Sequence, residues 1–280
     1  MNRKLIPILS LMLSILLAGC SFRITDKKAR KAYPELQAEW DTTGPVPLHY
    51  MRLPRPARPL LVYLHGSPGS WKDALGYLQQ PELRASFELV AIDRPGFGYS
   101  GRWRRCYTLK QQTAALLPLI RRLKGNRPLY LMGHSYGGPV AAALAAELGT
   151  EVQGVAQLAG ALDPEQEKPE RWRKFFLGAR WLLPGALPQS NGELWWLKKE
   201  LYDLQPRLAH ITCPVLLFHA HDDVLVPYAN VAYMQQHIPH TLLYAFEDGN
   251  HFLHVNQVPE ISRLLAWHWA RILSPKLSSP

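Results

Sequence analysis

The stretch LYLMGHSYGG, residues 129–138, places a serine between an apolar run and a cluster of glycines. Its central letters match the pattern G-x-S-x-G at residues 133–137. In a sharp turn from a strand into a helix, the residues two positions either side of the serine have no room for a Cβ atom. Ser135 is therefore a candidate nucleophile, and it needs a base and a carboxylate from elsewhere in the chain.

Apolar runs and helical patterns alternate on both sides of this turn. The predicted strands are apolar nearly throughout, as strands buried on both faces are, and they lie at residues 59–65, 87–93, 128–134, 152–159, 213–220 and 241–247. Helical patterns lie at residues 109–124, 138–149, 228–238 and 259–273. This alternation predicts an α/β fold with a mostly parallel, doubly wound sheet.

The segment 162–207 interrupts the alternation, because it carries four tryptophans and two phenylalanines among basic residues and contains no strand-like run. Its position between the predicted strands at 152–159 and 213–220 favours a small helical cap inserted there, after the sixth strand of the whole sheet, with a pair of ordinary surface helices as the alternative. The core is then predicted at residues 46–161 and 208–280. The tryptophans Trp172, Trp181, Trp195 and Trp196 indicate an apolar acyl or aromatic pocket, or else contact with a membrane.

Two later segments supply candidates for the base and the carboxylate. His251 follows the last predicted strand and precedes the final amphipathic helix, with His254 as a competitor three residues on. Asp222 and Asp223 stand side by side after the strand at 213–220. A serine hydroxyl is a poor nucleophile until a base removes its proton, so the site needs a histidine. The histidine in turn needs a carboxylate to orient it.

Two further motifs occupy the loops after neighbouring strands. HGSPG at residues 65–69 resembles an H-G-x-P-G oxyanion loop, and DRPGFGYS at residues 93–100 resembles a D-x-P-G-x-G-x-S turn. Together with the serine turn and the histidine segment, these motifs resemble the α/β-hydrolase superfamily in its cap-bearing branch. The resemblance covers roughly residues 46–275, and the motifs stand in the order that the superfamily uses.

The resemblance implies a catalytic triad of Ser135, Asp223 and His251, where Asp223 is selected by aligning the Val-Pro pair that follows it. It also implies that the backbone amides of Ser67 and Tyr136 donate to the oxyanion. The expected enzyme is a serine hydrolase of carboxylic esters that needs no cofactor. An amidase or peptidase for small substrates and a non-catalytic binding module remain as alternatives. Serine as the attacking residue disfavours the alkyl-enzyme mechanism of branch members that attack through aspartate.

The first twenty residues predict a secretory signal. A basic start precedes the apolar run 5–17, which is shorter than the roughly 20 residues of a membrane-spanning helix. LLAGC at residues 16–20 resembles the lipobox of bacterial lipoproteins. The resemblance implies a signal peptide at 1–19 and a lipidated Cys20, and a chance cysteine is the alternative. The mixed, polar residues up to residue 45 indicate a tether that is followed by an edge element. Ser21, in place of aspartate, favours the outer membrane of the cell envelope over the inner membrane.

The composition bounds the partners. Hydrophobic residues make up 47% and charged residues 19% of the chain, which is typical of a globular protein. The formal charge of +10 is compatible with an anionic partner. The basic residues form no nucleic-acid motif, so we expect no nucleic acid, and a phosphate-bearing membrane surface or a solvated basic face accounts for the charge.

The remaining cysteines and histidines predict neither a disulfide nor a metal. Cys213 opens a predicted core strand, where a buried thiol is the usual state, so we expect no bridge to Cys106. His219, His221 and Asp223 fit the letters H-x-H-x-D of some metallohydrolases. The histidine that normally completes that motif is absent, and we therefore expect these residues to flank the acid loop without a metal.

Overall fold

An eight-stranded sheet forms the centre of the protein. The structure, a computed structural model, describes residues 29, 31–100, 105–168, 171–183 and 185–273. Cys20 and the predicted signal segment lie outside the described residues. The strands β1 to β8 are, in chain order, Gln37–Asp41, Leu48–Leu53, Leu60–Leu64, Glu88–Ile92, Leu129–His134, Val152–Leu158, Val215–Ala220 and Thr241–Phe246.

The strand order in the sheet is β1-β2-β4-β3-β5-β6-β7-β8. Strand β2 is antiparallel to β1 and β4, and all the other neighbouring pairs are parallel. The six predicted strands are all present, with ends within about two residues of the predicted ones. The predicted fold class, an α/β structure with a mostly parallel sheet, is confirmed.

The sheet begins earlier in the chain than the predicted core boundary at residue 46. Strand β1 pairs with β2 in a register that places Trp40 opposite His49. Residues 37–41 are therefore part of the sheet, in the stretch where the sequence indicated an edge element after a tether. The pattern is weak because β1 reads QAEWD and is an edge strand, so it has little need of apolar residues.

Nine α-helices surround the sheet in the described part of the chain. Helices α1 to α9 are Leu75–Gln79, Pro81–Ser86, Leu109–Lys124, Gly137–Leu148, Arg171–Gly178, Leu187–Leu208, Ala229–His237, Leu253–Asn256 and Val258–Leu273. The four helices predicted from the sequence are present within about one residue at each end. Among the described helices, none combines the length and the apolar character that crossing a bilayer requires.

Two apolar layers cover the two faces of the sheet. Within β3, Leu60, Val62 and Leu64 join one layer, which also contains side chains of α3, α4 and α6. Leu61 and Tyr63 join the other layer, which contains side chains of α9. The alternation follows from the strand geometry, since successive side chains point to opposite faces. The sheet is therefore covered on both sides, as the sequence predicted.

Helix α3 shows how local sequence sets an element's limits. The Thr108 side chain accepts a hydrogen bond from the Gln111 amide, and the Gln111 side chain reaches back to the Thr108 amide. This capping box satisfies two amides that would otherwise lack partners at the start of the helix. The helix ends before Gly125, whose φ is 55°. Glycine adopts such an angle without a steric penalty, and the chain can turn there into β5.

The segment between β6 and β7 contains the helices α5 and α6, so it is helical as predicted, and its role as a cap stays a prediction. The second half of α6 buries a stripe of leucines in the core layer shared with α4, namely Leu197, Leu201, Leu204 and Leu208. The first half buries polar side chains instead, including Gln189, Ser190 and Glu193. One helix therefore joins the hydrophobic core to a polar region at the carboxyl edge of the sheet.

Candidate active site

Ser135 occupies the turn between β5 and α4 with a φ of 52°, a value that residues other than glycine rarely adopt. A Cβ atom on Gly133 would lie 2.2 Å from the Gly137 carbonyl oxygen, and one on Gly137 would lie 2.1 Å from the Leu64 carbonyl oxygen. The Ser135 amide donates to the Leu158 carbonyl at 3.0 Å. Both glycines are thus required by close backbone contacts, and the serine is held in a strained conformation.

Asp223 and His251 meet at the same edge of the sheet. The Nδ1 atom of His251 lies 2.9 Å from Oδ2 of Asp223. The other carboxylate oxygen accepts hydrogen bonds from the amides of Leu225 at 2.9 Å and Val226 at 2.8 Å. The carboxylate is therefore fixed by its own loop and presents one oxygen to the imidazole.

The charge on Asp223 determines which nitrogen of His251 is a base. Burial raises the pKa of the Asp223 carboxyl, but the hydrogen bond and charge of His251 and the amide of Val226 outweigh burial and lower it overall. An ionised carboxylate only accepts hydrogen bonds, so the His251 proton lies on Nδ1. The Nε2 atom then carries the free lone pair that a general base needs.

The structure separates both pairs of alternative residues. Asp223 is buried, whereas the adjacent Asp222 is exposed. His254 is also buried, but it stacks on His134 with ring centroids 3.4 Å apart. Of these candidates, it is Asp223 and His251 that face each other.

His134 connects the nucleophile turn to the base. Its Nε2 atom lies 3.1 Å from the carbonyl oxygen of His251, and the two rings have centroids 4.9 Å apart. The residue immediately before Ser135 therefore contacts His251. Within the described residues, no hydrogen bond joins the Ser135 hydroxyl to the His251 ring. Such contacts commonly tighten only when substrate is bound.

The predicted oxyanion loop lies against the nucleophile. A Cβ atom on Gly66 would lie 3.2 Å from Cβ of Ser135 and 3.0 Å from Nδ1 of His134. Ser67 follows Gly66, and Tyr136 follows Ser135. In the described turns and loops, neither of these two amides donates to a backbone carbonyl. Both are available to a ligand at this edge of the sheet.

Two buried histidines beside the predicted triad residues are a feature that sequence reasoning missed. Burial, with the neighbouring histidines His254 and His251, holds the pKa of His134 well below its usual range. Burial and His251 lower the pKa of His254 to about 3. Both rings are therefore neutral, and His134 packs between His251 and His254. The sequence offered the G-H-S letters as a signal for His134, but nothing local predicts its stacking on His254.

The histidines of the H-x-H-x-D segment point in different directions. His219 is buried, with Nε2 2.9 Å from the Val226 carbonyl oxygen. His221 is exposed and stacks on Tyr228 with ring centroids 4.1 Å apart. In the part of the chain that the structure describes, no group of three or more potential metal ligands is assembled. Cys106 and Cys213 are buried thiols, and no disulfide joins them.

Comparison with known proteins places this geometry in a family. A family model described as the alpha/beta hydrolase fold matches residues 59–189. Lysophosphatidylserine lipase ABHD12 of Danio rerio is 26% identical over 180 residues, covering 61% of this chain and 45% of that protein. Epoxide hydrolase B of Mycobacterium tuberculosis is 35% identical over 86 residues, covering 30% of this chain and 23% of that protein.

A solved structure matches nearly the whole chain. The crystal structure of a membrane phospholipase A, described as a novel bacterial virulence factor, superposes with a TM-score of 0.63 at 20% identity. The match covers 99% of this chain and 100% of that one.

The chain has the α/β-hydrolase fold, and its residues 59–189 match the model of that family. The resemblance on which the sequence interpretation depended is confirmed. The chain spans less than half the length of the two curated relatives, at 45% and 23%. The structural match, at 20% identity, shows a shared fold.

Acidification is expected to destabilise the protein through His134 and His254. In the unfolded chain a histidine titrates near pH 6.5, whereas both folded pKa values are depressed. Their contribution is complete above about pH 6.5 and is lost as the pH falls toward the folded pKa, by up to about 1.4 kcal/mol per pH unit for each histidine. Urea unfolding measured between pH 7.5 and pH 4.5 checks this.

The variant His254→Phe keeps a ring against His134 but cannot be protonated, so its free energy of unfolding should fall less steeply with acidity. His210→Phe changes an exposed histidine and is the matched control. Identical pH slopes for the wild type and His254→Phe would contradict the assignment.

Proposed function

We propose that the protein is a serine hydrolase that cleaves carboxylic esters through an acyl-enzyme on Ser135. The observation that supports this most directly is the 2.9 Å contact between His251 and a buried Asp223, next to a serine in a strained turn. A folding protein has no need of this combination. The left-handed backbone at Ser135 costs roughly 1–3 kcal/mol, and such strain is concentrated at functional sites.

The proposed reaction has two steps. The Ser135 oxygen attacks the ester carbonyl carbon while Nε2 of His251 takes the hydroxyl proton. The oxyanion accepts hydrogen bonds from the amides of Ser67 and Tyr136 as the tetrahedral intermediate forms. The C–O bond to the alcohol then breaks, and the alcohol leaves with the proton from His251. Water, activated by the same histidine, attacks the acyl-enzyme and releases the acid and free Ser135.

Asp223 contributes by orienting the His251 ring and by stabilising its positive charge. Its ionised carboxylate holds the His251 proton on Nδ1, which leaves the Nε2 lone pair free to accept the serine proton. When His251 becomes an imidazolium during the attack, the adjacent negative charge stabilises it. The low pKa of Asp223 suits this role, because the carboxyl stays ionised throughout the neutral pH range.

The nucleophile and one relative support an acyl substrate. An alkyl-serine ether would not hydrolyse, so a serine at position 135 does not suit the opening of an epoxide, the reaction named for one relative. An acyl-serine ester hydrolyses readily. The relative named as a lysophosphatidylserine lipase supports a lipid ester as the substrate class.

Attachment to a bacterial outer membrane through lipidated Cys20 is the second part of the proposal. Large apolar side chains on α5 and the turn after it are exposed, with exposed fractions of 64% for Phe175, 79% for Trp181 and 49% for Leu182. Trp181 therefore does not line a closed pocket. Aromatic side chains of this kind are suited to a membrane interface, and they support the alternative use of the tryptophans, contact with lipid.

Replacing the nucleophile should abolish turnover. Ser135→Ala removes the only atom that forms the acyl-enzyme, so hydrolysis of p-nitrophenyl esters should fall to background while the thermal unfolding temperature stays close to that of the wild type. A fluorophosphonate probe should label the wild type and not the variant. Turnover by Ser135→Ala, or a wild type that neither turns over nor reacts with the probe, would refute the proposal.

Adjacent aspartates allow a matched test of the acid. Asp223→Asn keeps the size of the side chain but removes the charge that holds His251 in its reactive tautomer, so kcat should fall by about 10²- to 10⁴-fold. Asp222→Asn makes the same replacement at the exposed neighbouring position and should leave kcat within about twofold of the wild-type value. Steady-state kinetics on one ester decides this, and equal losses in the two variants would exclude Asp223 as the triad acid.

Lipidation can be tested in bacterial cells that express the full chain. Cys20→Ala should prevent incorporation of labelled palmitate and release the protein from the membrane pellet. Ser21→Ala is the control and should behave as the wild type, whereas Ser21→Asp should move the protein from the outer to the inner membrane fraction. A Cys20→Ala variant that still incorporates palmitate would contradict the anchor.

A further inference from the structure

Arg94 is a buried cation that no step of the proposed mechanism uses. Its side chain and that of Glu193 both have zero solvent exposure. The guanidinium forms a two-pronged contact with the Glu193 carboxylate, at 2.7 Å from Nη1 to Oε1 and 3.2 Å from Nη2 to Oε2. A buried ion pair of this kind is costly to desolvate and is weak evidence of a contribution to stability. Its place in the fold indicates another role.

Arg94 also binds the backbone of the oxyanion loop. Its Nε donates to the His65 carbonyl at 2.8 Å, and its Nη2 donates to the Gly66 carbonyl at 2.9 Å. Gly66 is the residue that lies against Ser135, and its carbonyl belongs to the same peptide unit as the Ser67 amide. The Arg94 side chain therefore holds one end of the peptide whose other end is the proposed oxyanion donor.

His65 adds a second bond to the same carbonyl. The Arg94 amide donates to Nε2 of His65 at 2.9 Å, so the proton of this ring lies on Nδ1, which donates to the Gly66 carbonyl at 2.7 Å. Burial and the Arg94 charge hold the pKa of His65 well below its usual range, and the ring stays neutral. Because a trans peptide is planar, two donors on the carbonyl oxygen fix the direction of the N–H on the opposite side.

The guanidinium contacts the second donor residue as well. Its central carbon lies 4.9 Å from the centroid of the Tyr136 ring, within the range of a cation–π interaction. Tyr136 supplies the other proposed oxyanion amide. Arg94 is thus the one described side chain for which contacts to the peptide of Ser67 and to Tyr136 are both found.

The partner of Arg94 comes from a distant part of the chain. Glu193 lies on the first half of α6. Its Oε1 atom, which binds Nη1 of Arg94, also accepts a hydrogen bond from Nε2 of Gln112 on α3 at 2.9 Å. Ser190, one turn before Glu193, accepts a hydrogen bond from the Ser67 hydroxyl at 3.0 Å. The polar half of α6 therefore contacts the oxyanion loop directly through Ser190 and indirectly through Arg94.

We propose that Arg94, held by Glu193 of α6, is a positioning residue that sets the orientation of the Ser67 amide and so forms the oxyanion hole. The pair does not touch the substrate. It acts through the peptide between Gly66 and Ser67, and it makes the geometry of the hole depend on the seating of α6. This inference rests on the proposed function, because the hole matters only if Ser135 forms a tetrahedral intermediate.

The decisive variant is Arg94→Lys in the full-length chain. Lysine keeps a positive charge beside Glu193 but lacks the planar fork, so it cannot bind the carboxylate and the carbonyls of His65 and Gly66 together. We expect kcat for a p-nitrophenyl ester to fall by about 10- to 100-fold. This loss is at most comparable to the roughly 10²- to 10³-fold loss in kcat that follows removal of one oxyanion donor. KM should change by less than about threefold, since substrate contacts are retained.

A second readout separates positioning from simple damage to the fold. An alkyl boronic acid forms a tetrahedral adduct with an active serine, so its inhibition constant should rise by about the same factor as kcat falls. Arg207→Lys is the matched control, because Arg207 forms an exposed ion pair with Glu147 at the other end of α6. Arg207→Lys should change neither kcat nor the inhibition constant of the boronic acid. If Arg94→Lys folds poorly, Glu193→Gln replaces it as the test, and this variant should also lower kcat and raise the inhibition constant.

The possible results are distinguishable. Loss of kcat and of boronic acid affinity, with KM and the fluorophosphonate-reactive fraction kept, supports the positioning role. An active wild type with unchanged kcat and boronic acid affinity in both Arg94→Lys and Glu193→Gln overturns that role and leaves the proposed function intact. A wild type that hydrolyses no ester and is not labelled at Ser135 removes the proposed function and this inference together.

Discussion

The architecture of the site depends on one backbone contact, the approach of the β5–α4 turn to the end of β3. Gly137 fits beneath the Leu64 carbonyl only because it has no side chain, and Gly133 fits against Gly137 for the same reason. This contact brings the oxyanion loop after β3 beside the serine after β5. The position of the nucleophile relative to its proposed donors is therefore set by the main chain and by neighbouring parallel strands, and side-chain packing refines it.

The electrostatics of the site separate its buried groups into two kinds. Asp223 is ionised and is satisfied by two amides and an imidazole. Arg94 is charged and is matched by Glu193. The histidines at 134 and 254 are kept neutral by burial and by each other. Among these groups, the two charged side chains each have a partner of opposite charge or hydrogen-bonding partners. The neutral rings of His134 and His254 pack near His251 and bring no second positive charge to it.

Much of the fold could be predicted from the sequence, because buried parallel strands are apolar throughout and the serine turn needs its glycines. The bounds of the edge strand β1 could not be predicted, because residues 37–41 are mixed in polarity and only partly buried. The site residues follow the superfamily's motif order. The contacts around the site residues could not be predicted in this way. Arg94 and Glu193 are 99 positions apart, and no local sequence pattern at either residue predicts its contact with the other. Such long-range polar contacts are set by the packing of α6, which sequence periodicity does not describe.

The continuity of α6 limits how the segment between β6 and β7 can move. The helix runs without interruption from Leu187 to Leu208, and its second half is anchored by leucines in the hydrophobic core. A helix clamped at one end cannot swing open as a hinged gate without disturbing that core. If the segment between β6 and β7 is the predicted cap of the proposed esterase, its substrate range is therefore expected to vary through the shorter α5 and the turn after it, while α6 keeps the geometry of the site.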